Sequence, residues 1–134
     1  MTKRGVILLA HGSRLQEANE EVFQLAALLE TNEGAGFYCG VAFLQGGSPT
    51  LQEAVTSAVT EGCTFIFTVP FFLTSGVHIR DDIPEMLEQA RQDNPELTLV
   101  LCRPLGCDPR LAPILWERVT EKMTELSECG DNPL

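Results

Sequence analysis

Short, mostly apolar runs alternate along this chain with longer stretches in which apolar residues return every three or four positions, a pattern that predicts four strand–helix pairs. The first run, Val6-Ile7-Leu8-Leu9-Ala10, lies in a strand over residues 5–10 and is apolar on both faces, as a central parallel strand must be when helices cover each side. Leu15, Ala18, Val22, Leu25, Ala26 and Leu29 follow at helical spacing, with Glu17, Glu20, Glu21 and Gln24 falling elsewhere. Ser13 and Gln16 read as the capping box of this helix, which ends within residues 31–36. Residues 37–44 are the second strand. After the turn Gln45-Gly46-Gly47, Ser48 caps a second helix with Pro49 in its first position, and Leu51, Ala54, Val55, Ala58 and Val59 form its inner stripe up to Gly62. Residues 64–70 are the third strand. The third helix starts near Asp82, or earlier near Val77, carries Met86, Leu87 and Ala90 inward, and stops at Asn94-Pro95. Residues 97–102 are the fourth strand, and Asp108-Pro109 caps a last helix bearing Leu111, Ile114, Leu115, Val119, Met123 and Leu126. Residues 1–129 read as one domain and residues 130–134 as a frayed tail.

Such alternation implies an α/β fold: a doubly wound, four-stranded parallel sheet with right-handed crossovers and helices on both faces. In the order 2-1-3-4 the first and third strands are neighbours, and a ligand crevice opens at their carboxyl ends. The two histidines of the chain both fall there. His11 follows the first strand directly, in His11-Gly12-Ser13-Arg14, and His78 follows the third, in Gly76-Val77-His78. Adjacent strands are about 4.8 Å apart, so side chains just beyond their ends can converge on one ion or one ring.

Composition narrows the partners. Nine basic against nineteen acidic residues give a net charge of −10, which disfavours nucleic acid and an anionic membrane surface. The five cysteines are odd in number and form no CxxC pair, which suits reduced thiols in a reducing compartment rather than a disulfide scaffold or structural zinc. The apolar run near the N-terminus is too short for a signal peptide or a membrane span, so a cytoplasmic location is expected.

Two imidazoles are too few for a closed zinc site. They suit a divalent ion held with open positions, or a base beside an incoming metal; each is also explicable alone as a strand-end polar residue. Arg14 and Arg80 are either grips for the carboxylates of an anionic ligand or solvated helix residues. Asp81 and Asp82 either cap the third helix or support His78. Phe71, Phe72 and Leu73 either wall a site for a flat ring or belong to the core.

Taken together, Leu9-Ala10-His11-Gly12-Ser13-Arg14, Ala42-Phe43-Leu44, Ser48-Pro49, Val69-Pro70-Phe71-Phe72-Leu73, Gly76-x-His78-x-x-x-Asp82-Ile83-Pro84 and Pro104-Leu105-Gly106 resemble the CbiX/SirB family of sirohydrochlorin chelatases over nearly the whole chain. The resemblance implies a chelatase-type α/β fold and an enzyme, a lyase, that inserts cobalt, iron or nickel into sirohydrochlorin for cobalamin or siroheme synthesis. It implies His11 and His78 as catalytic and metal-contacting residues, and Ser13, Arg14, Phe72, Gly76 and Arg80 as substrate-binding residues. No organic cofactor is implied; Co²⁺, Fe²⁺ or Ni²⁺ is substrate. The short, single-unit form further implies a homodimer. Gln45 stands where members often place an acidic residue, and Gly46-Gly47-Ser48 is also a departure.

Other readings are a metal or tetrapyrrole carrier using the same histidines without turnover, and a phosphoryl-transfer enzyme with a phosphate-accepting histidine. Against the second, the chain has no GxxxxGK[ST] loop. A receiver-type signalling domain needs acidic residues where His11 and Pro70-Phe71 stand.

Overall fold

In the computed structural model, residues 3–73 and 77–128 are described, except for the side chains of residues 77–79. The chain runs β1 (Lys3–Ala10), α1 (Gln16–Thr31), β2 (Tyr38–Phe43), α2 (Leu51–Thr60), β3 (Cys63–Pro70), α3 (Val77–Asp93), β4 (Thr98–Leu101) and α4 (Leu111–Glu128). The strands form one parallel sheet in the order β2-β1-β3-β4, as the alternation predicts. The expected tail, residues 130–134, lies outside the described residues.

Because successive side chains of a strand point to opposite faces, β1 supplies two cores at once. Ile7 and Leu9 join Ala42, Ile66, Leu99 and the inner faces of α2 and α3. Leu8 and Ala10 join Val41, Phe43 and Ala26 of α1 on the other face. This double burial is why the run at residues 6–10 has no polar position.

Three local expectations are corrected. Helix α1 begins at Gln16 with Leu15 as its cap residue and no side-chain cap bond. Ser13 instead accepts the Leu15 N–H at 3.1 Å, a turn bond too early to cap a helix. In α2 the cap is Thr50, neither Ser48 nor Pro49. Thr50 accepts the Glu53 N–H and Glu53 accepts the Thr50 N–H, a complete capping box, and these bonds draw the Glu53 carboxyl below its usual range. Helix α3 takes the earlier start, at Val77, so Pro84 lies inside it. Interior proline removes a helical hydrogen bond, but Ile83, Leu87 and Ala90 are buried in the core and hold the segment helical around it.

The larger departure concerns α4. Its apolar positions are spaced as expected, yet none of its residues is buried, and it packs substantially on no other element. Helix α1 therefore covers its sheet face alone, over the β1–β2 half. Leu25, which the spacing turned inward, is exposed, as is Leu15.

Candidate functional site

The sheet ladder does not stop where the strands end. Beyond β1 and β2, Leu44 N–H donates to the Ala10 carbonyl and Gln45 N–H to the His11 carbonyl, each at 2.9 Å. Beyond β1 and β3, Phe71 N–H donates to the Leu9 carbonyl at 2.8 Å. Past β3 and β4, Leu105 N–H reaches the Pro70 carbonyl at 3.1 Å and Gly106 N–H the Phe72 carbonyl at 3.0 Å. The loops at the carboxyl ends of all four strands are thereby zipped edge to edge into one rim. A ligand-binding crevice is expected at this end of a doubly wound sheet.

His11 stands on that rim, exposed. Its ring centroid is 5.3 Å from that of Phe72, with the planes 58° apart. Phe72 is 7% exposed and belongs to the core cluster, so the core alternative holds for it, while its ring also supports the imidazole. The segment after the third strand therefore does come alongside the residue after the first. His78 follows in the first turn of α3; its side chain, and Gly76, lie outside the described residues.

Arg80, exposed, lines a hollow of about 130 Å³ with Pro70, Phe72, Ile83, Leu101, Cys102 and Pro104. Arg14 is exposed beyond β1. Among the described residues, no ion pair involves either. The chain order places a third guanidinium, Arg103, just beyond β4, a candidate that the sequence reading passed over as linker. Three of only nine basic residues thus stand at the carboxyl end of the sheet, against the prevailing negative charge. Burial pushes the Cys102 thiol up from its ordinary pKa, so it lines the hollow as a neutral thiol rather than a thiolate ligand.

Asn19 was invisible as a site residue, because one asparagine on the outer side of an amphipathic helix looks solvated. In the structure its Oδ1 accepts the Ser13 N–H at 2.9 Å, and its Nδ2 donates to the Ser13 carbonyl at 2.9 Å and the Gly46 carbonyl at 3.2 Å. It clamps the His11 loop to the loop after β2. The glycines at 46 and 47 belong to this clamp: a Cβ on Gly47 would lie 2.9 Å from Asn19 Nδ2 and 3.0 Å from the Phe43 ring. Net hydrogen-bond values of about 1 kcal/mol lead us to expect Asn19→Ala to lower stability by about 2 kcal/mol. Asn19→Asp is expected to be no better, since it puts a carboxylate oxygen against two carbonyls. Urea denaturation measures both, and an Asp variant as stable as the parent would remove the clamp.

Among the described residues, no three His, Cys, Asp or Glu side chains gather as a metal cage, and no helix is long and apolar enough to cross a membrane.

Comparison with known proteins adds three findings. The CbiX family model matches residues 5–122. The sirohydrochlorin cobaltochelatase of Methanosarcina acetivorans is 33% identical over 128 residues, covering 90% of this chain and 98% of that protein, while the sirohydrochlorin ferrochelatase of Priestia megaterium is 28% identical over 92% of this chain but only 46% of its own length. Among solved structures, the CbiX protein of Marinobacter aquaeolei VT8 superposes with a TM-score of 0.74 at 31% identity, covering 91% of this chain and 98% of that one.

Proposed function

Since this chain belongs to the CbiX family, we propose that it is a sirohydrochlorin chelatase that inserts a divalent metal, Co²⁺ before Fe²⁺ or Ni²⁺, into the tetrapyrrole. The observation that carries this reading is His11 standing on the carboxyl rim over Phe72, in a fold whose ligands bind at that rim. Cobalt is favoured because the cobaltochelatase relative matches end to end, whereas the ferrochelatase relative is matched over less than half its length.

The chemistry follows from the groups present. Sirohydrochlorin gives up two pyrrole N–H protons as the ion sheds water and enters the ring, so one metal ion is consumed and two protons are released. Imidazole suits both tasks: near neutral pH it can take a proton, and its lone pair can ligate a borderline divalent ion during dehydration. His11 and His78 share these roles. The substrate's carboxylates need cationic partners, which Arg14, Arg80 and Arg103 provide by paired N–H donation. Ser13, with its backbone held by Asn19, and Phe72 shape the near wall, and Gly76 lets the ring approach the backbone.

Anaerobic incubation of the protein with excess sirohydrochlorin and Co²⁺, Fe²⁺ or Ni²⁺ in turn tests the reading. Many equivalents of metallated product per protein are expected, with the highest initial rate for Co²⁺. A single bound equivalent with no turnover would make the protein a carrier and overturn the enzyme assignment.

A further inference from the structure

The hollow beside Phe72 exists because of one proline. Cys102 N–H donates to the Thr68 carbonyl at 2.8 Å and Gly106 N–H to the Phe72 carbonyl at 3.0 Å. In an evenly spaced parallel ladder residue 104 would donate to the Pro70 carbonyl between them. Residue 104 is Pro104 and has no N–H to give. Leu105 makes that bond instead, at 3.1 Å, and the slack between Cys102 and Leu105 bows away from β3. The gap between this bow, the end of β3 and the start of α3 is the hollow of about 130 Å³, room for about four waters or one short arm of a ligand.

Its lining is apolar except at one point. Phe72 and Ile83, 7% and 4% exposed, form a fixed wall, and Pro70 and Pro104 add two stiff ones. The Cys102 thiol is neutral there. Thr68 shares the face of Pro70, two residues earlier, and pairs with Leu101 across the ladder, but its hydroxyl is sealed beneath the surface and offers a ligand nothing. Arg80 is therefore the one charged group of the lining, and no carboxylate pairs with it among the described residues. A mostly apolar pocket with a single placed polar group is how proteins hold small amphipathic groups.

The hollow also stands at a useful distance. Phe72 is its common wall with His11, whose ring packs on the same phenyl group at 5.3 Å. A gap between the ends of β3 and β4 is about one and a half strand spacings, roughly 7 Å, from β1. A metal at His11 lies about 2 Å from a pyrrole nitrogen, and the ring and arm atoms beyond it, at about 1.5 Å a bond, bring a peripheral carboxylate to that range.

We propose that the hollow is an arm pocket: one carboxylate-bearing arm of the tetrapyrrole enters it, with its methylenes against Phe72, Ile83 and Pro104 and its carboxylate on Arg80 at the mouth, and so anchors the ring over His11. The proposal rests on the chelatase reading for the identity of the ligand. An exposed guanidinium alone would hold a carboxylate at no fixed place; the hollow fixes that place, and Cys102 sets its width.

Propionate is such an arm without its ring. Added to the full chain at millimolar concentration, it is expected to shift the Ile83 and Leu101 methyl resonances saturably, and propionamide, of the same shape without the charge, is expected to bind more weakly. Cys102→Phe fills the hollow while leaving Arg80, Phe72 and His11 in place. It should abolish those shifts and raise KM for sirohydrochlorin about tenfold or more, with the loss in KM rather than kcat, because the arm makes the same contacts before and during metal insertion. Leu101→Phe, at a position 42% exposed, fills the hollow from the opposite side and stands in if the first variant fails to fold by circular dichroism. Unmoved Ile83 and Leu101 methyls, equal binding of propionamide, or a parental KM in both folded variants overturns the proposal. Propionate shifts in a protein that inserts no metal would leave the pocket standing as a short-carboxylate site and remove the chelatase reading; normal insertion without the shifts would do the reverse.

Discussion

Replacing His11 by alanine is expected to lower the initial rate of metal insertion into sirohydrochlorin by about a hundredfold or more, the usual contribution of a positioned acid–base group. His78→Ala is expected to do the same. The His11 loss should not come from unfolding. His11 is exposed on the rim, and apart from its ring contact with Phe72 it is held through its backbone carbonyl, which alanine retains. The readout is the visible spectrum of the tetrapyrrole under anaerobic single-metal conditions, with circular dichroism as the control for folding. If both variants turn over at the parent rate, the roles assigned to the histidines are wrong. If one is inactive and the other merely loses metal affinity, the first is the base and the second the ligand.

Gly12→Ala is expected to be nearly as damaging, for a different reason. Gly12 has φ +93°, and a Cβ there would lie 1.6 Å from the Gln45 carbonyl oxygen and 3.3 Å from Phe43 Cβ. Left-handed backbone alone costs an L-residue about 1–2 kcal/mol. Relieving the clash must also push Gln45 away and break its 2.9 Å bond to the His11 carbonyl, for about another 1 kcal/mol. We expect a loss of about 3 kcal/mol, and because the displaced loop carries His11, a fall in insertion rate larger than the loss of folded protein explains. Gly36→Ala is the control, since Gly36 has nearly the same φ, +92°, but nothing within 4 Å of its Cβ position. It should cost only the backbone part. Equal melting temperatures for the two variants would show that the closeness of the His11 and Gln45 loops has no energetic weight.

Much of this was legible without coordinates, for identifiable reasons. Strands buried on both faces are mostly apolar, so the runs ending at Ala10 and Pro70 stand out even though the second carries the buried Thr68, and alternation with helices leaves few topologies to choose among. The strand order then puts whatever follows β1 and β3 at one rim. Hence His11 beside the segment after Pro70 followed from chain order alone, and the 5.3 Å contact of His11 with Phe72 agrees. Cap positions were less legible because Ser48-Pro49 and Thr50-x-x-Glu53 are both good starts only two residues apart. Both starts bury the same stripe, Leu51, Ala54, Val55 and Ala58, so the reciprocal bonds of Thr50 and Glu53 decide between them.

The parallel sheet, its order and the end of it at which His11 stands could be read in one dimension, because apolar periodicity and chain connectivity are written residue by residue. What Asn19 bonds, how closely the Gly12 loop meets Gln45, and that α4 leaves its own sheet bare emerge only on packing. Those depend on distances between segments far apart in the chain. An apolar stripe requires that something cover it, but which surface does so is set by where the packed fold lets the helix go.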